Sequence, residues 1–226
     1  MSTALITGCD YGIGFEFARQ FAEDGWRVHA ICLDPASQGK LEALGDVRFH
    51  HADVSDEAAV NALAAKLEGE GIDLLINNAA TFAPDGPGTL QLPDMDEFAR
   101  VMRVNAVAPI YVANAFEHHV AASARKLMIF IGTRSGWIGD NGSGGHYAYR
   151  CSKAALNMAV KSISIEFAPH GIVAAVLHPG SVATETRKGG QIPVTESVSG
   201  MRNVIDELTP ETSGTFQRYD GGTIEW

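Results

Sequence analysis

The sequence predicts a doubly wound parallel sheet, an α/β fold with helices on both faces. Three observations predict it. Short apolar runs alternate with helix-length amphipathic segments along the chain. A glycine turn, Gly8-Cys9-Asp10-Tyr11-Gly12-Ile13-Gly14, joins the first apolar run to the first helical segment. No linker, internal repeat or low-complexity tract interrupts the 226 residues, so residues 1–226 read as one domain.

The elements follow in order. Thr3–Thr7 is a buried-type strand. A helix runs from Gly12 to Asp24, with Phe15, Ala18 and Ala22 on one face, and Gly25 ends it. Arg27–Leu33 is the second strand, broken by Asp34-Pro35. A short helix covers Gln38–Leu44, and Val47–His50 is the third strand. Asp56 caps a helix that reaches Glu68 and carries Ala59, Leu63 and Leu67 at helical spacing. Ile72–Ile76 is the fourth strand, followed by a Pro- and Gly-rich loop over Ala80–Gly88. A long helix spans Asp94–His119 with an interruption near Pro109. Lys126–Ile131 is the fifth strand and Gly132–Gly145 a Gly-rich loop. Tyr147–Ala168 is helical, stopped by Gly171, and Ile172–Leu177 is the sixth strand. Thr195–Leu208 reads as a helix and Thr215–Tyr219 as a last short strand. Right-handed crossovers between such strands give the doubly wound arrangement.

Composition narrows the function. Apolar residues at 46% and charged residues at 19% exclude wholesale disorder. A net charge of −10 excludes a general nucleic-acid binder, because phosphate contacts need clustered cations. No apolar run approaches the ~18 residues of a membrane helix, so no membrane partner is expected. Cys9, Cys32 and Cys151 form no CxxC pair, which argues against a disulfide framework and a structural zinc site. The chain starts directly on strand-like residues, with no signal-type segment, so a cytoplasmic location is expected.

The glycine turn carries the first chemistry. Glycines let the backbone turn sharply and approach a ligand closely. The helix that follows presents unpaired N–H groups and a partial positive charge, which suit a pyrophosphate. Its position between first strand and first helix is what separates a nucleotide-binding turn from an incidental one.

The spacing is GxxxGxG, and further stretches accompany it in order. Asp53-Val54 follows the third strand. Asn77-Asn78-Ala79-Ala80 follows the fourth. Asn105 lies in Val104-Asn105-Ala106, and Tyr149-Arg150-Cys151-Ser152-Lys153 reads YxxxK. His178-Pro179-Gly180-Ser181-Val182-Ala183-Thr184 follows the sixth strand. Together, over the whole chain, these resemble the short-chain dehydrogenase/reductase family, whose fold is the Rossmann type. Gly144 to Asn157 and the ending from Leu208 to Trp226 are similar to its C-factor and sniffer-type carbonyl reductases.

The resemblance implies a nicotinamide dinucleotide held by Gly8, Asp10, Tyr11, Gly12, Ile13, Gly14 and Asp34. Asp53 and Val54 would lie beside the adenine. Asn78, Ala79 and Ala80 stand for the family's NNAG, with Ala80 in place of its glycine. Pro179, Gly180, Val182 and Thr184 would lie near the nicotinamide. Asn105 would position a water that links Lys153 to bulk solvent. The family's substrate-binding serine falls on Thr133, in Ile131-Gly132-Thr133-Arg134-Ser135-Gly136, with Ser135 as the fallback. Threonine keeps the hydroxyl, but its methyl restricts the rotamer and takes space.

Tyr149 and Lys153 are four residues apart on one helix face. A phenol with a pKa of ~10 is a poor base at neutral pH. A nearby ammonium stabilises its phenolate, so Tyr149 becomes the general acid/base. In the family Lys153 also holds the nicotinamide ribose. Tyr147 competes for the role, but six residues separate it from Lys153.

The cofactor is read as NAD or NADP. The second strand ends Ala30-Ile31-Cys32-Leu33-Asp34 with no obvious cation for a 2′-phosphate, and Asp10 and Asp34 add negative charge; this favours NAD. His146 and His178 flank the segments expected to line the substrate site. The neighbours in His50-His51 and His118-His119 point in different directions, so no metal is expected. The segment from Ala183 to Glu196 reads as a lid or a mobile loop. Relatives pair their long helices into homodimers or homotetramers, whereas carbonyl-reductase-like members include monomers.

These readings converge on an NAD(P)-dependent oxidoreductase acting on a carbonyl or secondary alcohol. The alternative, from another class, is a non-catalytic dinucleotide-binding sensor or signalling protein on the same fold. The intact Tyr149, Lys153 and Asn105 speak against it; Thr133 and Ala80 speak for it.

Overall fold

The structure, a computed structural model, describes residues 1–83, 92–185 and 188–226. The chain alternates as expected: β1 (Thr3–Thr7), α1 (Gly12–Glu23), β2 (Arg27–Cys32), α2 (Gln38–Glu42), β3 (Val47–His51), α3 (Glu57–Lys66) and β4 (Leu74–Asn77). The second half contains α4 (Met95–Met102), α5 (Ala108–Ala115), α6 (Glu117–Ala121), β5 (Leu127–Ile131), α7 (Tyr147–Glu166) and β6 (Val173–His178). After β6 come the short strands β7 (Val182–Ala183) and β8 (Ile192–Pro193), then α8 (Val194–Asp206), β9 (Phe216–Arg218) and β10 (Thr223–Ile224).

The main sheet has the order β10-β9-β6-β5-β4-β1-β2-β3. All of its pairings are parallel except β9 with β10, which run antiparallel. Strand order reverses between β1 and β4, and a crevice opens there at the carboxyl ends of the strands. Alternate residues of β1 feed opposite faces. Ala4 and Ile6 pack with Phe17 of α1 and Met201 and Ile205 of α8. Leu5 packs with Val60 and Leu63 of α3, Val112 of α5 and Leu156 of α7. Both faces are therefore dry, which a parallel sheet requires.

Local chemistry sets the helix starts. The Asp56 carboxylate accepts from the N–H groups of Ala58 and Ala59 to cap α3. Asp94 caps α4 through the N–H of Glu97. The interruption falls near Pro109, as the sequence predicts: Pro109 has no N–H to give to the carbonyl of Asn105, four residues back and inside the irregular turn. The irregularity is a π-helical turn over Arg103–Val107, with Asn105 inside it, followed by a break at Phe116. The short strands β7 and β8 and the antiparallel β10 have no counterpart in the sequence reading; each is only two residues long and gives no periodic signal. The loop expected over Ala80–Gly88 lies in part outside the described residues, as does a small part of the segment from Ala183 to Glu196.

Two histidines are built into the β2–β3 edge. His29 and His50 are buried, and His29 Nδ1 lies 2.9 Å from His50 Nε2. On its other side His29 Nε2 lies 3.2 Å from a Glu70 carboxylate oxygen. Burial pushes His50 down to about 4, assisted by His29 and Lys66, and burial also lowers His29. The unfolded chain takes these protons first, near pH 6.5, so stability is full above that value and is lost as pH falls towards 4. Denaturant titrations are expected to show a loss of ~2 kcal/mol from His50 between pH 7 and 5, and His50→Gln to flatten that slope. An unchanged slope in the variant would assign the acid sensitivity elsewhere.

The histidines behave differently as neighbours. His51 faces away from His50 and is exposed. His118 is exposed and lies 3.3 Å from Glu68, while His119 is buried against the Ala64 carbonyl. Their rings nonetheless sit 4.0 Å apart, and ligand atoms of Glu68, His118 and His119 lie within 4.8 Å of one another, so this adjacent pair converges, contrary to the expectation from sequence that its members point apart. Among the described residues no helix is long and apolar enough to cross a membrane.

Candidate active site

A cavity of about 1200 Å³ occupies the crevice at the strand-order reversal. One end is formed by the glycine turn after β1 and the ends of β2 and β3. The other is formed by the ends of β5 and β6 and by α7. Loops after β4 and β6 close the middle.

The glycine turn is shaped by backbone demands. Gly8 has φ +71, and a Cβ there would lie 2.8 Å from Ala79 Cα. A Cβ on Gly14 would meet the Gly8 carbonyl oxygen at 2.1 Å. Gly14 thus serves packing within the turn and does not line the cavity, whereas Gly8, Asp10, Tyr11, Gly12 and Ile13 do. The Tyr11 side chain at the N-cap of α1 makes no capping bond, and no acidic residue occupies the first turn. The N–H groups of this helix start lie beside the cavity and suit an anion.

Asn78 fastens the turn to β4. Its side-chain amide donates to the carbonyls of Thr7 (2.9 Å) and Gly8 (3.0 Å), and Thr7 Oγ1 accepts from the N–H groups of Asn78 and Ala79. Asn78, Ala79 and Ala80 line the cavity, as do Asp53 and Val54.

The β2 end differs from its sequence reading in one respect. The Asp10 carboxylate accepts from the N–H groups of Leu33 and Asp34 and from Ser37 Oγ. The Asp34 carboxylate accepts from Ala36 N–H, at 2.9 Å. Both acids are occupied in shaping the loop, although both still line the cavity. A cation does reach this end: Lys40, on α2, lines the cavity and bonds the Asp10 carbonyl. No count along the end of β2 finds this cation, because it returns on the helix that follows.

At the other end, Tyr149 and Lys153 line the cavity from one face of α7. Lys153 is 3% exposed, and its Nζ donates to the Ile131 carbonyl at 2.9 Å. Burial pushes its ammonium down to about 8. Thr133 lines the cavity; its Oγ1 accepts from Ser135 N–H at 3.2 Å, which leaves its own O–H to donate. Ser135 does not line the cavity, and its carbonyl faces Arg150. His146 precedes α7 in a left-handed conformation, φ 51, and also stays off the cavity wall. His178, Pro179, Gly180, Val182 and Thr184 do line it.

Asn105 does not line the cavity. It is fully buried, and its side chain is committed: Oδ1 accepts from Thr81 N–H (2.8 Å) while Nδ2 donates to the Thr81 carbonyl (2.8 Å) and to Ser152 Oγ (3.1 Å). A side chain so engaged clamps the segment after β4. Two lining residues had no sequence signal. Arg100 donates to Thr81 Oγ1 and to the Phe82 carbonyl, and Phe82 stacks on Tyr149.

A helix start over a glycine turn, joined by one cavity to a Tyr–Lys pair on a second helix, defines a dinucleotide-type α/β oxidoreductase site. The chain belongs to the short chain dehydrogenase family, whose model matches residues 2–192. It is 35% identical, over the full length of both chains, to 1-hydroxy-2-glutathionyl-2-methyl-3-butene dehydrogenase of Rhodococcus sp. (strain AD45). It is 41% identical to the C-signal protein of Myxococcus xanthus over 69% of this chain and 93% of that one. An NADPH-bound carbonyl reductase from chicken fatty liver superposes with a TM-score of 0.89 at 30% identity, covering 100% of this chain and 99% of that one. The likeness to C-factor and carbonyl-reductase types read from the sequence therefore holds.

Proposed function

We propose that the protein is an NAD(P)-dependent carbonyl reductase or alcohol dehydrogenase with Tyr149 as its acid/base. The carrying observation is the joint presence of Tyr149, Lys153 and Thr133 on the wall of the cavity that the glycine turn opens.

The residues fit a dinucleotide. The turn after β1, with Gly8 and Gly14 where no Cβ fits, brings backbone close to a pyrophosphate and aims the α1 N–H groups at it. Asp53 and Val54 would flank the adenine, Lys153 the ribose beside the nicotinamide, and Pro179 to Thr184 the nicotinamide itself. A bound nicotinamide supplies the hydride in reduction and takes it in oxidation. In reduction Tyr149 would give its phenol proton to the carbonyl oxygen of the substrate. Thr133 O–H donates to the same oxygen and stabilises the charge that develops there. The Lys153 ammonium stabilises the phenolate that Tyr149 becomes. Alcohol oxidation reverses each transfer.

Lys40 supports the 2′-phosphorylated cofactor, since it supplies the cation that β2 lacks; Asp10 and Asp34 are already bonded to the loop. Lys40→Ala is expected to weaken NADPH binding about tenfold and to leave NADH binding within about twofold. Fluorescence titration with each cofactor checks this. Equal effects on both would return the balance to NAD. The relatives' names give an alcohol or carbonyl substrate: a hydroxybutene derivative in one, a carbonyl in the other.

The test of the whole reading is titration with NADH and NADPH, then a carbonyl panel with whichever binds. Cofactor oxidation that depends on a carbonyl supports the enzyme. Tight binding with no turnover across aldehydes and ketones would favour the sensor, a reading that the likeness to C-signal keeps in view. The same protein, run on a sizing column, distinguishes a monomer from the homodimer or homotetramer formed by pairing long helices. Exposed Val107, Ile110 and Tyr111 around α5 and Met158 and Ile165 on α7 give those helices apolar faces.

A further inference from the structure

The Phe82 ring stacks on the Tyr149 ring, with centroids 4.2 Å apart and planes 23° from parallel. It lines the cavity, yet it is 60% exposed. A large apolar side chain at a cavity wall that keeps most of its surface uncovered is an unspent contact for a ligand.

The ring does not sit there by accident of a loose loop. Asn105 holds both the N–H and the carbonyl of the preceding residue, Thr81. Arg100 adds a donor to Thr81 Oγ1 at 2.8 Å and one to the Phe82 carbonyl at 3.3 Å. The Arg100 charge is answered by Glu97 through contacts of 2.8 and 2.7 Å. Its guanidinium is thus spent on the clamp and is not left to bind an anionic substrate. Val104, Ile131 and Val182 add apolar surface to the same cavity.

Geometry ties the plate to the chemistry. A substrate oxygen must meet the Tyr149 hydroxyl, so a group attached to the reacting carbon lies alongside the tyrosine ring, where Phe82 stands. We infer that Phe82, clamped by Asn105 and Arg100, is a specificity-determining residue that selects carbonyl compounds, or their alcohols, carrying a planar apolar arm such as an aryl or alkenyl group next to the reacting carbon. This rests on the hydride-transfer reading above and names its substrate class. Arg100 acts through Phe82 and is a positioning residue.

The experiment compares kcat/KM for acetophenone and for butan-2-one in the wild type, Phe82→Ala, Phe82→Leu and Arg100→Gln, with dinucleotide Kd measured for each. The wild type is expected to prefer the aryl ketone at least about tenfold. Phe82→Ala should lower that ratio about tenfold, chiefly through KM, and Phe82→Leu should restore part of it. Arg100→Gln should lower the ratio about threefold, through KM for acetophenone and with kcat for that ketone little changed, a split that general loosening of the fold would not give. Dinucleotide Kd should stay constant throughout. A ratio unmoved in both Phe82 variants, while the wild type turns over both ketones, overturns the inference and leaves the hydride-transfer reading standing. A rise in dinucleotide Kd in Phe82→Ala that matches the loss in kcat/KM also overturns it, because Phe82 would then hold cofactor. If the wild type binds a dinucleotide but reduces no carbonyl, both readings fall together.

Discussion

Tyr149→Phe is expected to lower kcat about 10³-fold in either direction while dinucleotide affinity stays within about twofold. The substitution removes one oxygen and nothing else. The phenyl ring keeps its place on α7, and its stacking on Phe82, at 4.2 Å, needs no hydroxyl. Loss of turnover therefore reports proton transfer and not a misplaced helix. Tyr147→Phe is the control. Tyr147 is 36% exposed and lies off the cavity wall, so its hydroxyl can be lost without effect. Residual activity of Tyr149→Phe within about tenfold of the wild type would remove the phenol as acid/base. In that case the Thr133 hydroxyl, whose acceptor side is already taken by Ser135 N–H, would be the next donor to test.

The parts of the site that were legible in the sequence are those carried by one element or one turn. Gly8 to Gly14 could be read because a strand, a turn and a helix are adjacent in the chain, and the backbone demand is local. Tyr149 and Lys153 could be paired because a helix fixes the distance between positions four apart. Thr133 could be preferred to Ser135 by counting from Gly136, and the cavity wall includes Thr133 and omits Ser135.

What was not legible depends on chain segments meeting in space. Lys40 reaches the β2 end from a separate helix, which no count along the strand would find. Phe82 becomes notable only because Asn105 and Arg100, both from the following helical stretch, fix the segment that carries it. His146 lies beside a segment that lines the site, yet it takes a left-handed conformation and is absent from the cavity wall, a placement that nearness in sequence does not show. The helix interruption is legible near Pro109, and the π-helical turn over Arg103–Val107 ends two residues before it. The pairing of the Asn105 side chain inside that turn with Thr81 and Ser152 is not, because the partners come from other segments.

Lys153→Met is expected to abolish measurable turnover and yet raise stability. Burial holds the Lys153 ammonium at about 8 instead of its usual 10.5. Between those values the folded protein has shed a proton that the unfolded chain still holds, so stability rises with pH through that window. At pH 7 the charge is carried at a cost of ~3 kcal/mol. A methionine of similar shape removes that cost and loses the charge-assisted hydrogen bond to the buried Ile131 carbonyl, worth roughly 2 kcal/mol. The balance is a gain of ~1 kcal/mol, or about 3 °C in Tm. Wild-type reduction should also decline above about pH 8, where Lys153 loses its charge, and any residual activity of the variant should lack that inflection. Denaturant titration of both proteins decides the first point. A variant less stable than the wild type would mean that the ammonium is repaid by its surroundings, and that its lowered proton affinity is not the strain which catalysis requires the fold to keep.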